Sequence, residues 1–212
     1  TTLAADVLEE LRPGRELQVF DMLEPRKQAR LLALMAADDA ADLVGRIDPA
    51  VVAELLPRLP DERAQQIVDL LGYPSDSAGG IMTNDEVTVS SGLTVAEARS
   101  SLRERIHGPD FVYFTYVVDH ERERRLRGVL TLRDLMSTDA GRSIDDLMTR
   151  DLITIAPSET ATAAARRVLE SQLLALPVID DDRRLLGVVT VDAAIERVAP
   201  SRWRSEAPRL FA

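Results

Sequence analysis

The chain has 212 residues, 45% hydrophobic and 29% charged, which fits one large or two small globular domains and excludes a disordered chain. No apolar run approaches the roughly 18–20 residues of a membrane-spanning helix; the longest, 31–37 and 173–179, fall far short. A net charge of −10 repels nucleic acid and favours cations, and the absence of cysteine and a histidine count of two (His107, His120) remove thiolate metal sites, disulfides and most histidine chemistry.

The first third is punctuated by Pro13, Pro25, Pro49 and Pro60, in steps of about twelve residues, with Ala37 where another proline would fall. Between them apolar residues recur at helical spacing, as in Leu31, Leu32, Leu34 and Met35, then Leu43, Val44 and Ile47. Each unit is too short to be stable alone. The pattern therefore predicts about six short helices in a superhelical stack over residues 1–72. Residues 1–80 hold 15 acidic and 8 basic side chains, so the region carries about −7.

Tyr73-Pro74 and Gly79-Gly80 break the helical pattern and mark a linker at 73–80. The sequence then repeats itself. Ile81-Met82-Thr83 returns as Leu147-Met148-Thr149, and Val87-Thr88-Val89 as Ile153-Thr154-Ile155. Val117-Val118-Asp119 returns as Val178-Ile179-Asp180, and Gly128-Val129-Leu130-Thr131 as Gly187-Val188-Val189-Thr190. Each copy predicts a short strand, a helix, two strands and a closing helix. Strands are expected at 113–118 and 126–131, then at 175–180 and 185–190, with a helix over 159–172 in the second copy. The charge run 121–127 predicts a solvated hairpin loop.

After each Gly-x-x-Thr a strand gives way to a helix, whose first N–H groups are open to a phosphate. Asp134, one turn in, can accept hydrogen bonds from ribose hydroxyls. No Ser/His/Asp arrangement, phosphate loop or metal-hydrolase motif is present, so the chain is not expected to be an enzyme.

This doubled pattern resembles a pair of CBS domains. Gly72-Tyr73-Pro74, Ser77-Ala78-Gly79-Gly80-Ile81-Met82-Thr83, the stretch Asp38-Asp39-Ala40-Ala41-Asp42-Leu43 and Arg133-Asp134-Leu135 resemble the MgtE family of magnesium transporters. The resemblance implies an α + α/β fold: an N-terminal superhelical stack of short helices (1–72), the linker 73–80, a tandem CBS pair of βαββα units (81–140 and 141–198) and a tail (199–212). It implies a cytosolic Mg2+-sensing region that gates ion flux as the N domain packs on a CBS homodimer. The pore domain would belong to the same chain, placing the region on the cytoplasmic side of the plasma membrane. No nucleic acid partner is implied.

Carried over by position, the resemblance assigns Asp6, Asp38, Asp39 and Asp42 to Mg2+, a hard cation that takes oxygen ligands and keeps several waters. It assigns Phe114, Thr131, Arg133, Asp134 and Leu173 to ATP or another adenine nucleotide, with Phe114 and Leu173 as walls for the base. Asp38 or Asp39 would also serve as a helix N-cap. The sequence departs from the family at three acidic positions, now Ala193, Thr162 and Gln172, and its tail, with Arg202, Trp203, Arg204 and Arg209, is net positive. The expected readings are thus two: a sensor excised from a longer transporter, or a pore-less soluble regulator that binds an adenine nucleotide or a protein.

Overall fold

The computed structural model describes residues 2–9, 11, 14–105, 112, 114–120 and 122–199, without the side chains of Thr2, Asp6, Glu9 and Glu104. Asp6, Tyr113, His107 and the tail with Trp203 therefore fall, in side chain or entirely, outside the described residues. The chain forms two compact units, one built on residues 1–74 and one on 75–197.

The first unit contains six α-helices among the described residues: α1 (Thr2–Glu9), α2 (Arg15–Asp21), α3 (Pro25–Leu34), α4 (Ala37–Val44), α5 (Pro49–Leu55) and α6 (Asp61–Leu71). The proline punctuation has a direct reading. Pro25 and Pro49 are the first helical residues of α3 and α5, where a missing N–H costs nothing and φ is already set. Ala37 occupies the same position in α4. Asp48 caps α5 by accepting from the Ala50 N–H at 2.8 Å.

Because the helices are short, their ends make up much of the unit, and side chains from neighbouring helices satisfy them. The buried Gln28 donates to the Phe20 carbonyl at 2.9 Å, closing the end of α2. Arg63 of α6 donates to the Leu32 and Met35 carbonyls at the end of α3. Phe20, Leu32, Leu43, Leu55 and Ile67 fill the core.

The second unit is the doubled region. Its first copy holds β1 (Val87–Ser90), α7 (Val95–Arg105), β2 (Thr115–Val118), β3 (Leu126–Leu130) and α8 (Leu132–Ser137). The sheet order is β1-β2-β3, with β1 parallel and β3 antiparallel to β2. All four residues of β2 are buried, as expected of a strand covered on both faces. Val117 joins the core under α7 and α8. Tyr116 and Val118 join a second core shared with Ala175, Leu185 and Val188 of the other copy.

The second copy holds α9 (Ala161–Ser171), β4 (Ala175–Ile179), β5 (Leu185–Thr190) and α10 (Val191–Val198). Its opening strand, expected at 153–155, shrinks to a single bridge between Ile155 and Val178. Ile155 donates to Pro177 O and accepts from the Ile179 N–H, both at 3.0 Å. The next rung of a parallel ladder would take an N–H from Pro177, and proline has none. The α9 helix starts two residues after its expected start and stops one residue before its expected end, with Thr160 as N-cap and Gln172 as a left-handed C-cap at φ 58°.

The two copies interlock. The lead-in to the first copy pairs with the second copy's last strand, as Thr83 N–H donates to Val188 O at 2.9 Å and Val188 N–H to Thr83 O at 2.8 Å. Reciprocally, Thr149 and Val129 exchange bonds of 2.9 and 3.0 Å. The repeated glycine makes these crossings possible. A Cβ on Gly187 would lie 2.4 Å from Thr83 O, and one on Gly128 2.7 Å from Met148 Sδ. The repeated methionines, Met82 and Met148, lie over those glycines. The two hairpin turns also pair, with Arg125 opposite Arg184. Asp119 and Asp180 organise them by accepting turn N–H groups at 2.7–3.0 Å.

Residues 76–79, within the segment read as a linker, bond to the entry of α9. Ala78 N–H donates to Glu159 O and Ala161 N–H to Asp76 O, both at 2.7 Å.

Gly187→Ala should lower the unfolding free energy by about 1–3 kcal/mol, as overpacking against backbone does. Gly141→Ala, where a Cβ meets nothing within 4 Å, should stay within about 0.5 kcal/mol of the parent. Urea unfolding of both variants measures the difference; equal midpoints would remove the steric account of the crossing.

Candidate functional site

A cleft of about 300 Å³ opens where the two copies meet. Its lining comes from three stretches: Phe114–Asp134 of the first copy, the crossing segment Thr149–Ile153, and Leu173–Pro177 around β4. Among the predicted residues it gathers Phe114, Thr131, Asp134 and Leu173. Arg133 is exposed and is not part of the lining.

Thr131 and Asp134 form a capping box at the start of α8. The Asp134 N–H donates to Thr131 Oγ1 at 3.1 Å, while Asp134 Oδ2 accepts from the Thr131 N–H at 3.0 Å and its hydroxyl at 2.6 Å. Capping and ligand binding are not exclusive here, because the box uses only Oδ2. The box also fixes the carboxylate rotamer at the cleft. The far end of α8 is closed by Arg99 of α7, whose guanidinium donates to the Leu135 and Thr138 carbonyls at 2.6–2.8 Å. In the second copy, Ala193 N–H still donates to Thr190 Oγ1 at 3.2 Å, but the reciprocal carboxylate is gone.

The apolar walls are Phe114, Leu152, Ile153 and Leu173, with Phe114 packed edge-on to Tyr116 at 6.4 Å between ring centroids and 72° between planes. Thr149, Asp151, Leu152 and Ile153 were not anticipated as site residues. The repeat of Met-Thr at 82–83 and 148–149 was the signal available, since it marks the segments that cross between copies.

The second unit also holds an ion pair between a buried carboxylate and a partly exposed arginine. The Glu86 side chain is 1% exposed and pairs with the Arg124 guanidinium from the β2–β3 turn. The charge run is therefore not wholly solvated: Arg124, at φ 50°, turns its side chain inward. Burial is the dominant influence on Glu86 and outweighs Arg124, pushing its carboxyl pKa up to about 7; Asp85 adds to the rise. Burial, and then the Glu86 charge, pushes the Tyr116 hydroxyl up as well.

In the first unit, Asp38 and Asp39 lie in the first turn of α4, whose N-cap is Ala36, so neither is the cap itself. Both are partly buried and Asp42 is exposed. Asp38 and Asp42, four residues apart, share a helix face. No group of three metal-ligating side chains gathers among the described residues.

The family model of the MgtE intracellular N domain matches residues 1–76, and that of the CBS domain matches 78–141 and 144–200. The magnesium transporter MgtE of Thermus thermophilus is 32% identical over 196 residues, 91% of this chain and 43% of the relative. The chain belongs to the MgtE family. The Bacillus subtilis MgtE is 29% identical over 91% of this chain and 42% of its own length. This chain thus spans less than half the length of these curated relatives. The crystal structure of the cytosolic domain of the Mg2+ channel MgtE in complex with ATP superposes with a TM-score of 0.84 at 32% identity, covering 93% of this chain and 80% of that one. The helical unit and CBS pair read from the sequence are those of this family. Among the described residues no helix is long and apolar enough to cross a membrane.

Glu86 sets a pH signature. Its raised folded pKa means the folded state holds a proton that the unfolded chain releases from about pH 4.5. Its contribution is greatest below that pH and is lost as pH climbs through about 7. In Glu86→Gln, stability relative to the parent should rise by about 1–3 kcal/mol between acid and alkaline buffer. Urea unfolding across that window measures the difference, and His120 cancels between the two proteins. A constant difference would mean that Glu86 titrates alike in the folded and unfolded chain.

Proposed function

We propose that this chain is the cytosolic regulatory region of an MgtE-type magnesium transporter, non-catalytic, which senses Mg2+ and carries an adenine nucleotide in the cleft between its CBS copies. The supporting observation is that one cleft unites Phe114, Thr131, Asp134 and Leu173, residues separated by up to 59 positions. Its apolar walls suit a base, and Asp134 presents an acceptor to ribose hydroxyls. Mg2+ would draw acidic surfaces together, with Asp38, Asp39 and Asp42 of α4 on one side and Asp6 as a further donor. A CBS-mediated homodimer is part of the proposal, with the exposed Met136 and Ile195 of the closing helices as apolar surface available to it. In this reading the region lies on the cytoplasmic side of the membrane that holds the pore.

The second reading is a pore-less regulator. It is favoured by Ala193, Thr162 and Gln172, none of which offers a carboxylate where the family resemblance expects one. The length of the natural reading frame after residue 212 separates the two.

Millimolar Mg2+ should raise the melting temperature and slow tryptic cleavage, as a cation that binds only the compact state must. Asp38→Asn/Asp42→Asn should blunt both effects. Indifference of both readouts at about 100 times a millimolar Kd, a load worth about 2.7 kcal/mol if bound, would leave the Mg2+ reading without support. Calorimetry should show nucleotide binding that Asp134→Ala weakens by about tenfold, the loss of one charge-assisted bond. Light scattering at twice 23.4 kDa is the expected mass in solution.

A further inference from the structure

Given that the cleft takes an adenine nucleotide, its charge bears on which one. Two carboxylates line it, Asp134 and Asp151, and no basic side chain does so among the described residues. Two of the nearby arginines bond to other groups. Arg150 donates to Asp145 O at 2.6 Å. Arg167 donates to Thr154 O at 3.0 Å and pairs with Glu159 at 3.1 Å. Arg133 is exposed outside the lining. A polyphosphate in this cleft would face two negative charges without a lining counter-ion, whereas ribose hydroxyls are donors that both carboxylates can accept.

We propose that Asp151 is a specificity-determining residue that, with Asp134, makes this cleft select the nucleoside end of the ligand and disfavour added phosphates. The expected order of affinity is adenosine, AMP, ADP, ATP. Asp134 is held in place by its capping box, so Asp151, exposed at the rim on the crossing segment, is the adjustable member of the pair. The selection is electrostatic and partly exposed to solvent, so salt weakens it.

The test is calorimetry of the 212-residue chain with the four ligands in chelator-containing buffer. At low ionic strength adenosine should bind at least about tenfold more tightly than ATP, the scale expected for several phosphate charges near two carboxylates. The ratio should narrow in high salt. Asp151→Asn should cut it by about threefold or more, and Asp151→Lys should reverse it, as one and two units of charge are changed. ATP binding as tightly as adenosine, with a ratio that Asp151→Asn leaves alone, overturns the selection while the nucleotide reading stands. An Arg133→Ala variant that loses ATP but not adenosine also overturns it, because Arg133 then supplies the missing counter-ion. No heat with any of the four ligands removes the nucleotide reading itself, and this inference with it.

Discussion

The close approach of two backbones at Gly128 and Gly187 is the constraint on which the second unit rests. Each copy sends its lead-in segment onto the last strand of the other, and a β-carbon at either glycine would collide with it. That exchange pairs backbone at what would otherwise be a sheet edge, a site open to unwanted pairing. It also carries Thr149–Ile153 into the first copy's territory, where they complete the cleft. The shared core of Tyr116, Val118, Leu126, Ala175, Leu185 and Val188 lies between the two hairpins. Neither copy holds its own wall, its own edge or this core without the other.

The two halves have then diverged within one frame. Thr131 and Asp134 keep a reciprocal box, while Thr190 keeps a one-sided cap over Ala193. On the first copy's lead-in, Glu86 is buried against Arg124, where the repeat places Leu152 in the second. A polar buried pair on one side and an apolar cleft wall on the other follow from that one difference.

Much of this was legible in the chain. Proline spacing located the short helices because proline is tolerated at a first helical turn, and Ala37 showed the same register without the proline. The doubled Gly-x-x-Thr gave the strand-to-helix junction, and with it Thr131 and Asp134. What stayed hidden depends on contacts distant in sequence. Arg99 and Arg63 close helices that they do not belong to. Arg124 looked like one charge among many until the turn at φ 50° aimed it at Glu86. Asp151 lacked a partner in the repeat logic of the nucleotide motif. Arg133, placed by resemblance, lies outside the cleft lining because it precedes Asp134 by one helical step, about 100° around the axis.

Pro177 has an effect beyond shortening a strand. It and Ile153 both line the cleft, and the rung that would join them is the one proline cannot make. In the first copy the corresponding strands are laddered over four residues. Beyond the Ile155 bridge the cleft is therefore bounded on this side by a seam, where the Ile153 carbonyl finds no N–H on Pro177. Its width there is set by side-chain packing, and the two Ile155 bonds, to Pro177 and from Ile179, hold its far end.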